Sequence, residues 1–269
     1  MAANHLYFIG LGLYNERDIS LHAHKILKTC DKIYAEFYTS KLIGLTTNTF
    51  EETYGKPLHI LSREETEKPT QIIEAAKTQT VAFLCGGDTM MATTHVDLRM
   101  QAHKQGIPTT LIHNSSIVTA APALLGLQYY KFGRTTTLAY PEKDYFPTSP
   151  YTVIADNKQM GLHTLILLDI QQHNNKYMTA NEGLQLLRDM EDKEHKHLIT
   201  DKTLACVVAR AGSPTPHIAA NELKSLLKQD FGGPLHTLII PGNLHFMELE
   251  ALELLAGLPS SVAKKIQKV

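Results

Sequence analysis

The chain has 269 residues, with 43% hydrophobic and 20% charged side chains and a formal net charge of −1. That balance suits a packed chain of one large domain or two ordinary ones, and it excludes disorder as the starting expectation. The near-neutral charge and the lack of a long basic tract argue against a direct nucleic-acid partner, whose phosphates require a strong positive footprint.

The cysteines Cys30, Cys85 and Cys206 are odd in number and form no Cys-x-x-Cys pair. Cys85 and Cys206 lie in apolar runs and read as buried free thiols of a reducing compartment. The opening MAANHLYFIGLG lacks a basic leader and a signal-length apolar core. No run reaches the roughly 18 apolar residues that span a bilayer. The expectation is a cytoplasmic protein without a membrane partner.

In chain order, short apolar runs alternate with amphipathic ones, the pattern of an α/β protein. Residues 6–11 read as a strand, and 18–28 as a helix with Ile19, Ala23, Ile26 and Leu27 on one face and Asp18 as N-cap. Strands are expected at 32–36 and 58–61, a helix around 70–77, and a strand at 81–84. A helix over 91–104 is stopped by Gly106 and Pro108, followed by a strand at 109–112 and a helix at 117–125. Beyond Tyr130, strands at 135–139 and 164–168 flank a loop with Pro141, Pro147 and Pro150 and a further helix. A helix at 181–191 has Thr179 as N-cap, and 191–202 is a charged surface connection. Strands at 204–209 and 235–240 enclose a helix at 218–228, and a last helix spans 246–255. The polar loop His113–Ser116 divides an N-terminal α/β domain, 1–114, from a C-terminal α/β domain, 115–269.

Five loops at strand ends carry ligand-type chemistry, each with a plainer alternative. Gly10-Leu11-Gly12-Leu13 allows close backbone approach, but Asn15 stands where a dinucleotide fold wants a third glycine. It is equally a strand-to-helix turn. Gly86-Gly87-Asp88 puts a carboxylate at a strand's C-terminal end, where open α/β sheets bind ligands. Asp88 suits ribose hydroxyls or an amino group, or else caps the next helix. His113-Asn114-Ser115-Ser116-Ile117 opens a helix whose free amides suit an acceptor, or is capped by Ser115 or Ser116. Ala209-Arg210-Ala211-Gly212 and Gly233-Pro234-Leu235-His236 complete the set. No His-Glu-x-x-His or Gly-x-Ser-x-Gly occurs, so neither a zinc site nor a serine hydrolase of that type is expected.

The wording of these loops is distinctive as a series. LYFIGLGLYNERDIS, AEFYTS, GGDTMMATTH, IHNSSI, YKFGRTTTLAYPE, GLHTLILLDI, ARAGS and DFGGPLHTLIIPGN occur in this order. The series resembles the diphthine synthases, especially the archaeal form, within the tetrapyrrole methylase family, from about residue 5 to residue 258. The resemblance implies a two-lobed α/β fold with S-adenosylmethionine in the inter-domain cleft, S-adenosylhomocysteine as product, and a homodimer. It implies cofactor contacts at Leu13, Asp88, Met91, Ser116, Ile117, Leu168, Ala211 and His236. Leu168 enters by resemblance alone. The implied reaction is methylation of the amino group of 3-amino-3-carboxypropyl-histidine on translation elongation factor 2, giving diphthine in diphthamide biosynthesis. The resemblance also leaves room for Tyr38, Thr39 and Ser40 to face that protein substrate.

The family commonly has Gly-Asp-Pro where this chain has Gly87-Asp88-Thr89, which removes a fixed backbone angle. Two rivals stay open. A related enzyme acting on a tetrapyrrole would carry Gly-Pro-Gly-Asp-Pro after the first strand, and one acting on ribosomal RNA would be more basic. A non-catalytic relative would keep cofactor binding without turnover.

Overall fold

The computed structural model describes residues 4–91, 93–143 and 145–266. The chain forms two compact units. One holds the residues up to Ile117 with Gln172–Asn174, and the other holds Val118–Gln171 and the residues from Asn175 onward.

The first unit runs β1 (His5–Gly10), α1 (Leu21–Thr29), β2 (Lys32–Glu36), α2 (Thr47–Tyr54), β3 (Leu58–Leu61), α3 (Arg63–Glu67), α4 (Thr70–Ala76), β4 (Thr80–Cys85), α5 (Val96–Lys104) and β5 (Thr109–Ile112). Its five strands are all parallel, in the order β3-β2-β4-β1-β5. Alternation along β1 sends Leu6 and Phe8 into a cluster with Ile72, Phe83 and Leu98, and Ile9 into one with Ile26, Leu27 and Phe50. Both faces are therefore covered, which is why the central strands read as unbroken apolar runs. Phe8 and Phe83 meet edge-on at 5.8 Å between centroids. Losing either ring to alanine would cost about 3–5 kcal/mol.

The second unit contains α6 (Ile117–Leu125, whose first residue belongs to the first unit), β6 (Thr136–Leu138), α7 (Ser149–Gln159), β7 (Thr164–Leu168), the hairpin β8 (Ile170–Gln171) and β9 (Lys176–Tyr177), α8 (Ala180–Glu194), β10 (Leu204–Ala209), β11 (His217–Glu222), α9 (Leu223–Leu226), β12 (His236–Ile240), α10 (Phe246–Ala256) and α11 (Ser260–Ile266). Its main sheet has the order β11-β10-β12-β7-β6, antiparallel except for β6 with β7. Leu138, Ile166, Leu184, Leu187, Val207 and Leu238 form the centre of its core.

Several expected elements differ. Residues 218–228 are not one helix: β11 pairs antiparallel with β10, Cys206 opposite Ala220, and only Leu223–Leu226 is helical. Alanine-rich IAANE has helical propensity, but the open edge of β10 supplies backbone partners that override it. The helix expected from Met91 begins at Val96. Gly87 and Met90 have φ of +74° and +67°, which turns the chain off a helical path. Asp88 is therefore no helix cap. Asp18 is not the cap of α1 either. It ends a short 3-10 turn, and Ser20 caps α1 by accepting from Ala23 N. The helices α2, α3 and α11 were not expected. They are short, and their strongest signals are caps: Thr46 for α2 and a Ser62–Glu65 capping box for α3.

Candidate functional site

In the parallel sheet, β1 connects across β4 to β2, while β4 connects across β1 to β5. The two connections leave in opposite directions, so β1 and β4 flank a topological switch point. Open α/β sheets take ligands at the C-terminal ends of such strands. Register puts Gly10 beside Cys85 and Ile9 beside Ile112, so the loops after β1, β4 and β5 leave from one edge. Leu13, Asp88, Met91, Ser116 and Ile117 all lie on these loops or at the helix start they feed.

The loops are locked to one another by polar contacts. Gly12 and Gly87 exchange backbone bonds, Gly12 N to Gly87 O at 3.1 Å and Gly87 N to Gly12 O at 2.7 Å. A Cβ on Gly10 would stand 2.6 Å from Gly87 O, and one on Gly12, at φ +81°, would stand 2.4 Å from Asp18 Cβ. The Gly-x-Gly pair is thus required by loop-to-loop approach. Asp18 Oδ2 accepts from Leu13 N at 3.0 Å and Tyr14 N at 2.6 Å. Asn114 Nδ2 donates to Gly10 O and Asp18 O, both at 2.9 Å, and its Oδ1 accepts from Ser115 N at 2.8 Å. Asp88 Oδ2 accepts from Asn114 N at 3.0 Å, and Oδ1 lies 3.0 Å from His113 Nδ1. The Asp88 side chain keeps 15% exposure, and Met91 is 44% exposed. A Cβ on Gly87 would meet nothing nearer than Ser115 O at 4.0 Å, so its φ of +74°, not crowding, is what favours glycine there.

Leu168, Ala211 and His236 belong to the second unit and also share one sheet edge. His236 opens β12 opposite Ala209, two residues before Ala211, and its neighbour Thr237 faces Leu167, beside Leu168. Both His236 ring nitrogens are engaged: Nδ1 accepts from Ala180 N at 3.0 Å, and Nε2 lies 2.9 Å from Gly233 O. Nδ1 is therefore unprotonated and Nε2 donates. Burial, against the Gly233 bond, holds its pKa below the ordinary histidine value, so the ring is neutral near pH 7. Any ligand contact at His236 falls on its carbon face or backbone. Arg210, at φ +52°, donates through Nη1 to Phe231 O at 2.6 Å and Gly233 O at 2.9 Å, tying the loop before β12 to the end of β10.

Five expected positions thus meet on one edge of the first sheet and three on one edge of the second. Sequence reasoning missed the residues that hold them: Asp18, Asn114 and Arg210. Asn114 and Arg210 are polar neighbours of a loop serine or alanine already singled out, which is the only signal they offered, and Asp18 reads as a helix cap.

The family model described as Tetrapyrrole (Corrin/Porphyrin) Methylases matches residues 5–227 and defines the class. Curated proteins named diphthine synthase are 47% identical over 261 residues in Methanothermobacter thermautotrophicus, covering 97% of this chain and 99% of that one, and 50% identical over 251 residues in a strain of Methanococcus maripaludis, covering 93% and 98%. A crystal structure of diphthine synthase superposes with a TM-score of 0.88 at 34% identity, covering 96% of this chain and 98% of that one. The chain belongs to this family, in its diphthine synthase branch, and is a methyltransferase of diphthamide biosynthesis. Its family implies S-adenosylmethionine as methyl donor. Among the described residues no helix is long and apolar enough to cross a membrane.

Proposed function

We propose that the chain methylates the amino nitrogen of 3-amino-3-carboxypropyl-histidine on translation elongation factor 2, using S-adenosylmethionine held by Leu13, Asp88, Met91, Ser116, Ile117, Leu168, Ala211 and His236. The observation that carries this reading is the convergence of five of these positions on the switch-point edge around Asp88. The residues fit the group. Asp88 keeps acceptor capacity beyond its bonds to Asn114 and His113, and its side chain remains 15% exposed. A cytoplasmic homodimer, a division into domains at 114/115 and an elongation-factor partner belong to the same reading.

When bound, S-adenosylmethionine supplies an electrophilic methyl group next to a positive sulfur. The protein's share is alignment and dryness. Leu13, Met91, Ile117, Leu168 and Ala211 are apolar walls that exclude water and fix the line of approach. Asp88 orients by accepting hydrogen bonds. The attacking amine must be neutral; with a pKa of about 8, roughly a tenth of it is neutral at pH 7. A nearby positive charge raises that fraction, so water suffices to remove the proton and no strong protein base is required.

The test is methyl transfer from isotopically labelled cofactor to elongation factor 2 carrying the aminocarboxypropyl intermediate. Mass spectrometry should find the added methyl groups on the amino nitrogen of the aminocarboxypropyl group, and none on the imidazole. Elongation factor without the intermediate should stay unlabelled. Labelling of a tetrapyrrole or ribosomal RNA in its place, or cofactor binding with no transfer, would sink the proposal.

A further inference from the structure

At the ends of β2 and β4 lies a buried polar group that the methyl-transfer reading does not use. Glu36 ends β2 and Cys85 ends β4, at paired positions of the parallel register. His95 precedes α5 and packs edge-on against Phe83, with centroids 4.9 Å apart. Glu36 is 0% exposed, Cys85 2% and His95 2%. One ligating atom from each lies within 4.8 Å of the other two. His95 Nε2 stands 3.4 Å from Glu36 Oε1, yet neither ring nitrogen has a hydrogen-bond partner. The hydroxyl of Thr93 shares this condition, and that of Thr89 has no partner but the Cys85 thiol, so the buried side-chain polar atoms without a conventional partner among the described residues fall in residues 89–95. Each such atom has given up its bonds to water and is unfavourable unless something engages it. Their concentration in one place points to a ligand rather than to scattered imperfection.

We propose that Glu36, Cys85 and His95 bind one divalent transition-metal ion of the zinc class. The donor set is one thiolate, one imidazole and one carboxylate, the three ligand types that zinc takes. The charges close: a carboxylate and a thiolate neutralise a dication in a site too buried to leave either charge unmatched. Thr39 orients the carboxylate, its N–H donating to Oε2 at 3.1 Å and its hydroxyl donating to Oε1. Bonds of about 2.0–2.3 Å put tetrahedral ligand atoms roughly 3.3–3.8 Å apart; His95 Nε2 and Glu36 Oε1, at 3.4 Å, already meet that spacing, and no pair exceeds 4.8 Å. Without metal, burial and the neighbouring Glu36 push the Cys85 thiol up to about 12, and burial holds His95 down at about 4. The imidazole lone pair is thus available near pH 7. Coordination displaces the thiol proton to solvent, together with any proton that burial keeps on Glu36. A bound ion would tie the end of β2 to the 86–95 loop that carries Asp88 and Met91.

The full-length protein, stripped with chelator and dialysed, is titrated with cobalt(II) and with zinc. We expect saturation near one equivalent, a sulfur-to-cobalt charge-transfer absorption, and a higher thermal midpoint with zinc. Cys85→Ser should abolish the charge-transfer band, His95→Gln should weaken binding by at least about ten-fold, and Cys30→Ser should change neither. The 14 histidines of the chain make weak surface uptake a competing outcome, and the Cys85-dependent band separates it. If His95→Gln fails to fold, the wild type and Cys85→Ser, matched by circular dichroism, still decide. No saturable uptake by the wild type, or a sulfur band that survives in Cys85→Ser, overturns the proposal.

Discussion

Asp88 is held from two sides before any ligand arrives, by Asn114 N and by His113. Asparagine keeps one acceptor oxygen and the shape but loses the charge. Hydrogen bonds to a charged group are worth about 1.5–3 kcal/mol. Asp88→Asn should therefore raise the cofactor dissociation constant about ten- to hundred-fold in calorimetric titration, while turnover at saturating cofactor stays within a few-fold. A collapse of turnover with unchanged affinity would make Asp88 a proton acceptor and end its role as an anchor. At this scale the sequence was readable for where loops carry ligand-type residues, because glycine and aspartate directly after an apolar strand mark its C-terminal end. It was not readable for Asp18, whose spacing before an amphipathic run looks like a cap. Its carboxylate instead turns back to Leu13 and Tyr14, since Ser20 already serves α1. The AEFYTS segment also has a structural role. Thr39 holds Glu36, and a Cβ on Gly86 would stand 2.9 Å from Ser40 Oγ, so both residues are tied into the loop itself.

Among the elements, α8 is the one whose ends are most heavily secured. Thr179 and Glu182 form a capping box at its start. Near its end Glu191 accepts from His197 N at 2.6 Å, Leu198 N at 2.8 Å, Ile199 N at 2.7 Å and Tyr151 Oη at 2.7 Å. Burial raises the Glu191 pKa, but these bonds outweigh it and hold the carboxyl below its ordinary range. The segment that reads as a charged surface connection is thus folded around one carboxylate. Glu191→Gln should cost about 2–3 kcal/mol in urea unfolding and remove hydrogen-exchange protection at residues 197–199. Thr179→Ala should cost only about 1 kcal/mol and leave that protection intact. Equal effects from the two would refute the assignment. The central strands of the parallel sheet were legible because burial on both faces makes them apolar runs, and β11 was not because its partner edge lies outside its own sequence.

Across the whole molecule, protonation sets the stability window. Burial holds His95 at about 4 and keeps His163 and His236 below the ordinary value of 6.5. The unfolded chain takes up these protons as pH falls through 6.5 and the folded chain refuses them, so stability declines from that point down. A second loss begins at 4.5. Glu248 is 0% exposed, and despite the cost of burial its bonds from Lys131, Gln128 N, His245 N and His163 hold its pKa down at about 2. Its contribution of about 3 kcal/mol is present above 4.5 and disappears progressively as pH falls toward 2. Glu36 runs the other way: burial raises its pKa, so what it contributes exists at low pH and is lost as pH rises. Its proton uptake lies between 4.5 and its raised folded value, so it offsets part of the histidine loss and none of the carboxylate loss below 4.5. Calorimetry in chelator between pH 7.5 and 3 should therefore give a thermal midpoint that falls below 6.5 and steepens below 4.5. Glu248→Gln leaves Lys131 without its anion and weakens the bond from the neutral His163, and should cost roughly 3–5 kcal/mol at neutral pH. Its midpoint should be low throughout and lack much of the second decline. A wild-type midpoint that stays flat from 6.5 to 4.5 would mean the buried imidazoles accept protons in the folded state, and the neutral His236 on which the second sheet edge depends would go with it.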